Sequence, residues 1–224
     1  MANDDIEAYF WKEEGEEEIV KRNKTKIIFN KSEDEGIGII LMLNPGSCLP
    51  KRPEEITKEP KKFNTMYGNL DKDQTQRKVA SVVKEAYDNN PPQCYVYIVN
   101  LSEKREPDPK KFYERLSEDF DKRSEERANK IIVEIETEIN KPNNQIKWIW
   151  VAFGKDKRTA KLREKVLNRL TAGPLTKGKL VGIDKLVNCM HPSSSWFYRK
   201  SKSGQIPKEI IINEIKNKLN NWGR

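Results

Sequence analysis

Cysteine is scarce in these 224 residues, with three thiols at positions 48, 94 and 189. An odd number of widely spaced cysteines without a CxxC pair argues against a disulfide framework, a zinc site or an iron–sulfur cluster. Reduced thiols in a cytoplasmic protein are the simplest expectation. Histidine is scarcer still: His191 stands alone, so chemistry that needs an imidazole has one candidate. No apolar run is long enough to span a membrane. The N-terminus is acidic where a secretory signal would be basic, so neither an anchor nor a signal peptide is expected. Internal repeats and long linkers are missing too, and the length suits one sizeable domain, 1–224, with one core.

Charge is what the chain has in quantity. Charged residues make up 35%, as do hydrophobic ones, and the net charge is +8. Residues 1–36 carry eleven acids against six bases, whereas the remainder carries 37 bases against 24 acids. An acidic extension packed on a basic body suggests a polyanionic partner such as nucleic acid. Lysine-rich composition also arises without one, so charge alone does not decide.

The apolar residues are clustered. Residues 37–43 (IGIILML) run without interruption to Asn44-Pro45-Gly46, and 94–99 (CYVYIV) run to Asn100. Residues 146–153 (IKWIWVAF) end at Gly154-Lys155, and an extended region over 180–190 ends at His191-Pro192-Ser193. Residues 17–30 read as one or two short strands, and 48–72 as a long polar loop. Helical spacing of apolar positions predicts helices over 73–87, in a charged stretch ending near Ile139, over 156–170, and over 207–222, the last opened by Pro207. Strands alternating with helices predict a three-layer α/β/α sandwich around a mainly parallel four-stranded sheet. Ligands of such sheets bind beyond the carboxyl ends of the strands. Asn44, Asn100, Lys155 and His191 each follow a predicted strand, so four polar groups would converge on one rim. Any one of them alone would pass as a turn residue.

These segments resemble a known family. Leu43-Asn44-Pro45-Gly46 resembles the first motif of the mismatch-specific branch of the uracil-DNA glycosylase superfamily. His191-Pro192-Ser193-Ser194-Ser195 resembles the second motif, with the histidine of the uracil-specific branch and the serine run of the mismatch branch. Residues 96–101 (VYIVNL), followed by 104–107 (KREP), resemble the strand that carries the base-reading asparagine, and 151–155 (VAFGK) the third strand and its glycine. The matches occur in family order from residue 37 to about 220.

The resemblance implies a monofunctional DNA glycosylase, which hydrolyses the bond between a flipped base and its sugar and leaves an abasic site. The reaction develops positive charge on the sugar and negative charge on the base. Asn44 would hold the attacking water, and a neutral His191 would donate to the base carbonyl as charge develops. Asn100 would read the Watson–Crick edge. Tyr67, or else Phe63, would stack on the base, with Leu43 and Gly46 lining the pocket. Ser193, Ser194 and Ser195 would meet phosphates, as would Lys155, Arg199 and Lys200. The family's leucine wedge has no counterpart at Ser195, so Trp196 or Phe197 would enter the duplex instead.

At Gly46 the uracil-specific enzymes carry a tyrosine that excludes the 5-methyl of thymine, and here that gate is missing. The implied substrate is therefore uracil, a mismatched thymine, or a bulky 5-modified cytosine such as occurs in phage DNA. The implied partner is DNA, as a duplex with one base flipped. No metal, other cofactor or membrane partner is expected, and the protein is expected to be a monomer. An N-glycosidase acting on free nucleosides, or a catalytically inert DNA-binding module, would fit the same residues.

Overall fold

The central strands are apolar on both faces, and that dictates the architecture. In the computed structural model, β3 (Gly36–Met42) is buried at every position, and β5 (Cys94–Asn100) at every position but its last. A strand covered on both sides has no reason to alternate, so it reads as an unbroken apolar run. The structure describes residues 4–13, 19–31, 34–43, 48–66, 68–71, 73–105, 108, 111–112, 123–154, 156–183, 189–192, 194–201 and 203–221.

The other strands are β1 (Asp5–Glu13), β2 (Ile19–Phe29), β4 (Lys61–Asn64), β6 (Trp148–Val151) and β7 (Leu180–Val181). All seven form one sheet in the order β4-β1-β2-β5-β3-β6-β7. This corrects the expected four-stranded, mainly parallel sheet. The four anticipated strands are the parallel part, β5-β3-β6-β7. On its β5 side the sheet continues through three antiparallel pairings, which makes it mixed. The acidic N-terminal stretch thus supplies two strands of the sheet. Ile6, Ala8 and Phe10 point into the core at alternate positions, while Glu7 and Tyr9 between them mask that pattern in the sequence. β4 lies inside the long polar loop and pairs with β1, Phe63 opposite Ala8. β7 is only two residues long, where a longer extended region was expected.

Among the described residues four α-helices cover the faces: α1 (Gln74–Ala86), α2 (Ser124–Ile139), α3 (Ala160–Ala172) and α4 (Pro207–Asn220). α1 begins at a capping box in which Asp73 accepts from the Gln76 amide at 2.7 Å and Gln76 accepts from the Asp73 amide at 3.0 Å. Val79, Val82 and Val83 of α1 pack with Ile211 and Ile215 of α4 on one face of the sheet. Ala128, Ile131 and Ile135 of α2 pack with Leu162, Val166 and Leu170 of α3 on the other. β6 serves both cores. Its indoles Trp148 and Trp150 face α1 and α4, and Ile149 and Val151 face α2 and α3. Gly38 is required where Trp148 crosses β3, because a Cβ there would lie 2.3 Å from the indole. Among the described residues no helix is long and apolar enough to cross a membrane.

The chain leaves β3 for β5 on one side and later returns to β6 on the other. β3 and β6 are therefore the neighbours at which the winding reverses, and the crevice between their carboxyl ends is where this architecture places ligands.

Candidate functional site

Two of the four expected rim groups, Asn100 and His191, can be located around that crevice. Met42 pairs with Asn100 across β3 and β5, and Leu41 with Val151 across β3 and β6, so the three strands end level. Leu43, partly buried against the α2/α3 core, accepts from the Ser102 amide at 3.1 Å and ties the exit of β3 to that of β5. Ala152 donates to the Leu41 carbonyl at 2.8 Å and extends the β6 side. The chain then turns at Gly154, whose φ of +81° lies in the left-handed region. The Gly154 amide donates to the Cys189 carbonyl at 2.7 Å, and its carbonyl accepts from the Arg163 guanidinium. The segment carrying His191 is thereby fastened beside the β6 exit. A Cβ on residue 154 would sit 3.9 Å from that of His191. Asn44, Gly46 and Lys155 lie outside the described residues.

Burial, with the positive charge of Lys78 adding to it, pulls the His191 pKa down to about 4. At neutral pH the imidazole is uncharged and keeps one N–H to donate. Beyond it the chain makes a tight turn. Ser194 donates its amide to the His191 carbonyl at 2.9 Å, and the Phe197 amide donates to the Ser194 carbonyl at 3.1 Å. Ser194 is partly buried, and Ser195 is exposed at the start of a short 3-10 turn through Tyr198. Arg199 and Lys200 are exposed after it. Ser193 and the side chain of Trp196 lie outside the described residues, as does Tyr67.

Two aromatic expectations are overturned by burial. Phe63 is 1% exposed and meets Phe10 edge to face at 5.6 Å, so its ring belongs to the core and cannot stack on a base. Phe197 is fully buried and stacked on Trp150 at 5.7 Å, so it cannot enter a duplex. Its neighbour Tyr198 is exposed. Lys78 and Lys208 lie 5.3 and 5.9 Å from the Tyr198 ring centre. Lys78 thus acts on both Tyr198 and His191 and joins α1 to the rim.

Arg22 was also missed, because in sequence it is one cation among many. On β2 it is 3% exposed, and Asp73 lies 3.9 Å from its Nη1. Asn100 at the end of β5 has a buried Oδ1 with no hydrogen-bond partner among the described residues. A separate cleft of about 320 Å³ runs from Asn100 past Lys104 to Arg123, Arg127 and Glu134 near α2. Within it Lys130 pairs with Glu103 at 3.1 Å, and Lys21 pairs with Glu13, outside the cleft, at 2.5 Å. Glu134 accepts from the Tyr97 hydroxyl at 3.0 Å. The three cysteines are buried and none is in a disulfide among the described residues. In comparisons with known proteins, no family model, curated protein or solved structure matches the chain.

Proposed function

We propose that the protein is a monofunctional DNA glycosylase acting on a flipped pyrimidine. The observation that carries the reading is an uncharged imidazole, His191, fastened by the Gly154 turn beside the β3/β6 crevice. A neutral donor is what a departing base needs, since it stabilises developing negative charge without first protonating the base. Asn100 adds an unsatisfied amide oxygen on the adjoining strand end. In this reading Asn100 reads the base edge, Asn44 holds the water, and Gly46 leaves the pocket open toward the C5 substituent. Ser194, Ser195, Arg199, Lys200 and the Lys78–Tyr198–Lys208 group meet the DNA backbone, and Tyr198 takes the place proposed for Phe197. The +8 net charge favours the same partner.

The test is incubation with duplexes carrying uracil, mismatched thymine, or hydroxymethylated or glucosylated cytosine, followed by alkali. The expected result is strand cleavage only after alkali, because no lysine is assigned as a covalent nucleophile. Base release from none of these DNAs, with release from free nucleosides, would replace the proposal by a nucleosidase.

A further inference from the structure

Arg22 occupies a position where a strand seldom carries a cation. Its partner across β1 is Phe10, a core residue, and Val20 two positions earlier also packs on that core. The Arg22 side chain keeps 4% of its surface. Asp73 is too distant to accept a hydrogen bond from it, and its Oδ1 is already engaged with the Gln76 amide. Among the described residues nothing accepts from Nε or Nη1 of Arg22. A buried guanidinium left in this state is costly to the fold unless something else completes its hydrogen bonds.

Two more buried atoms are in the same condition. Gln76 spends its oxygen on the Asp73 amide and leaves Nε2 without an acceptor. The Cys48 thiol lies against both Arg22 and Gln76, which brings the two side chains together. Asn100 Oδ1 has no donor. β2 runs antiparallel to β5 with Thr25 opposite Ile98, and the Arg22 amide donates to the Glu103 carbonyl at 2.9 Å, so Arg22 lies alongside the end of β5. The alternation that turns Val96 and Ile98 toward α1 carries Asn100 to the same face as Arg22.

These three side chains present donors at Arg22 Nε and Nη1 and Gln76 Nε2, and an acceptor at Asn100 Oδ1. A matching ligand offers at least two acceptors, one for each donor side chain, and one donor. Phosphate brings mainly acceptors and a net negative charge, which would face the Asn100 oxygen and the Asp73 carboxylate. The pairing edge of guanine has one acceptor and two donors. Both pyrimidines fit: uracil through its two carbonyls and N3–H, cytosine through O2, N3 and its amino group. We infer that Arg22, together with Gln76 and Asn100, forms the wall of the pocket that reads the edge of a flipped pyrimidine. The inference rests on the glycosylase reading for its location and adds Arg22 as a specificity-determining residue.

The experiment is an NMR titration of the full-length protein with free uracil, cytosine, guanine and inorganic phosphate, with thermal unfolding of each variant alongside. Wild type should bind the two pyrimidines and neither of the others. Arg22→Met should weaken pyrimidine binding tenfold or more and should melt no lower than wild type, since it removes a buried charge whose Nε and Nη1 lack acceptors among the described residues. Arg22→Lys keeps the charge and stem, and it serves if Arg22→Met does not fold. It too should weaken binding, because an ammonium does not reproduce the guanidinium fork. Wild-type affinity in whichever of these variants folds, or phosphate binding in place of pyrimidine, overturns the inference, as does wild-type protein that binds no pyrimidine. Arg22-dependent pyrimidine binding without base release from any DNA upholds the pocket and removes the glycosylase. Base release at the wild-type rate by Arg22→Met does the reverse.

Discussion

The amide of Gly154 donates to the carbonyl of Cys189 at 2.7 Å, and this bond sets the exit of β6 against the segment that carries His191. Both residues have positive φ, +81° at Gly154 and +59° at Cys189. Two left-handed residues facing each other make a tight double turn, and the catalytic candidate stands two positions beyond it. The proposed mechanism depends on this junction because an oriented donor is useful only within a few tenths of an ångström of its target.

Gly154→Ala tests the junction. Space for the methyl exists, with His191 Cβ at 3.9 Å, but the left-handed backbone costs an L-residue about 1–2 kcal/mol. A fall in melting temperature is expected, with base release reduced more than DNA binding. Unchanged release would mean that His191 is positioned by other contacts.

Phe197 and Tyr198 should separate stability from function. Phe197→Ala opens a cavity beside Trp150 and should cost about 3–5 kcal/mol in chemical denaturation. Tyr198→Ala should leave stability within about 0.5 kcal/mol. It should lower activity on duplex DNA more than on single strands, since a wedge matters only where a stacked base must be displaced. Equal losses on both substrates would reduce Tyr198 to a surface contact.

His191 makes a pH signature. Its folded pKa, about 4, lies below the ordinary value of 6.5, so the unfolded chain binds the proton more readily. Its contribution is complete above about pH 6.5 and is lost as pH falls toward 4. Between pH 7 and pH 5 wild type should lose about 2 kcal/mol that a His191→Asn variant does not lose. Urea denaturation at the two pH values measures the difference, and parallel losses would remove the neutral-imidazole assignment. The same variant should slow base release by ~10²–10³-fold at neutral pH.

The first motif carries two further expectations. Asn44→Ala should abolish single-turnover base release while DNA binding persists, as expected of a residue that holds water. Gly46→Tyr should abolish activity on bulky 5-substituted cytosine and affect any uracil activity less. A wild-type enzyme that releases uracil but no base with a large 5-substituent would contradict the open pocket.

β3, β5 and β6 were legible because strands buried on both faces are written as apolar runs, whereas β7 keeps only Leu180–Val181 of the extended region expected over 180–190. Of the antiparallel half, β2 falls within the one or two short strands expected over 17–30, whereas β1 and β4 were not legible. β1 alternates Ile6, Ala8 and Phe10 with charged and polar residues, so composition suggested an extension where pairing makes a strand. β4 has only four residues, two of them lysine, and owes its existence to the edge of β1. The helices were predictable from their spacing, and α1 also from Asp73 and Gln76, whose reciprocal bonds are local in sequence.

Local chemistry in the chain determined where β5 and β6 stop, where α1 is capped, and which residue types stand at those stops, Asn100 and Gly154. Those are short-range properties of hydrophobic runs, turns and caps. The tertiary structure decided which of two neighbouring aromatics is buried, because only the position of Trp150 distinguishes Phe197 from Tyr198. It decided likewise that Phe10 claims Phe63 for the core. It also singled out Arg22 from 43 lysines and arginines. Desolvation depends on what the rest of the fold packs around a group, and no sequence window contains β1, α1 and the end of β5 together.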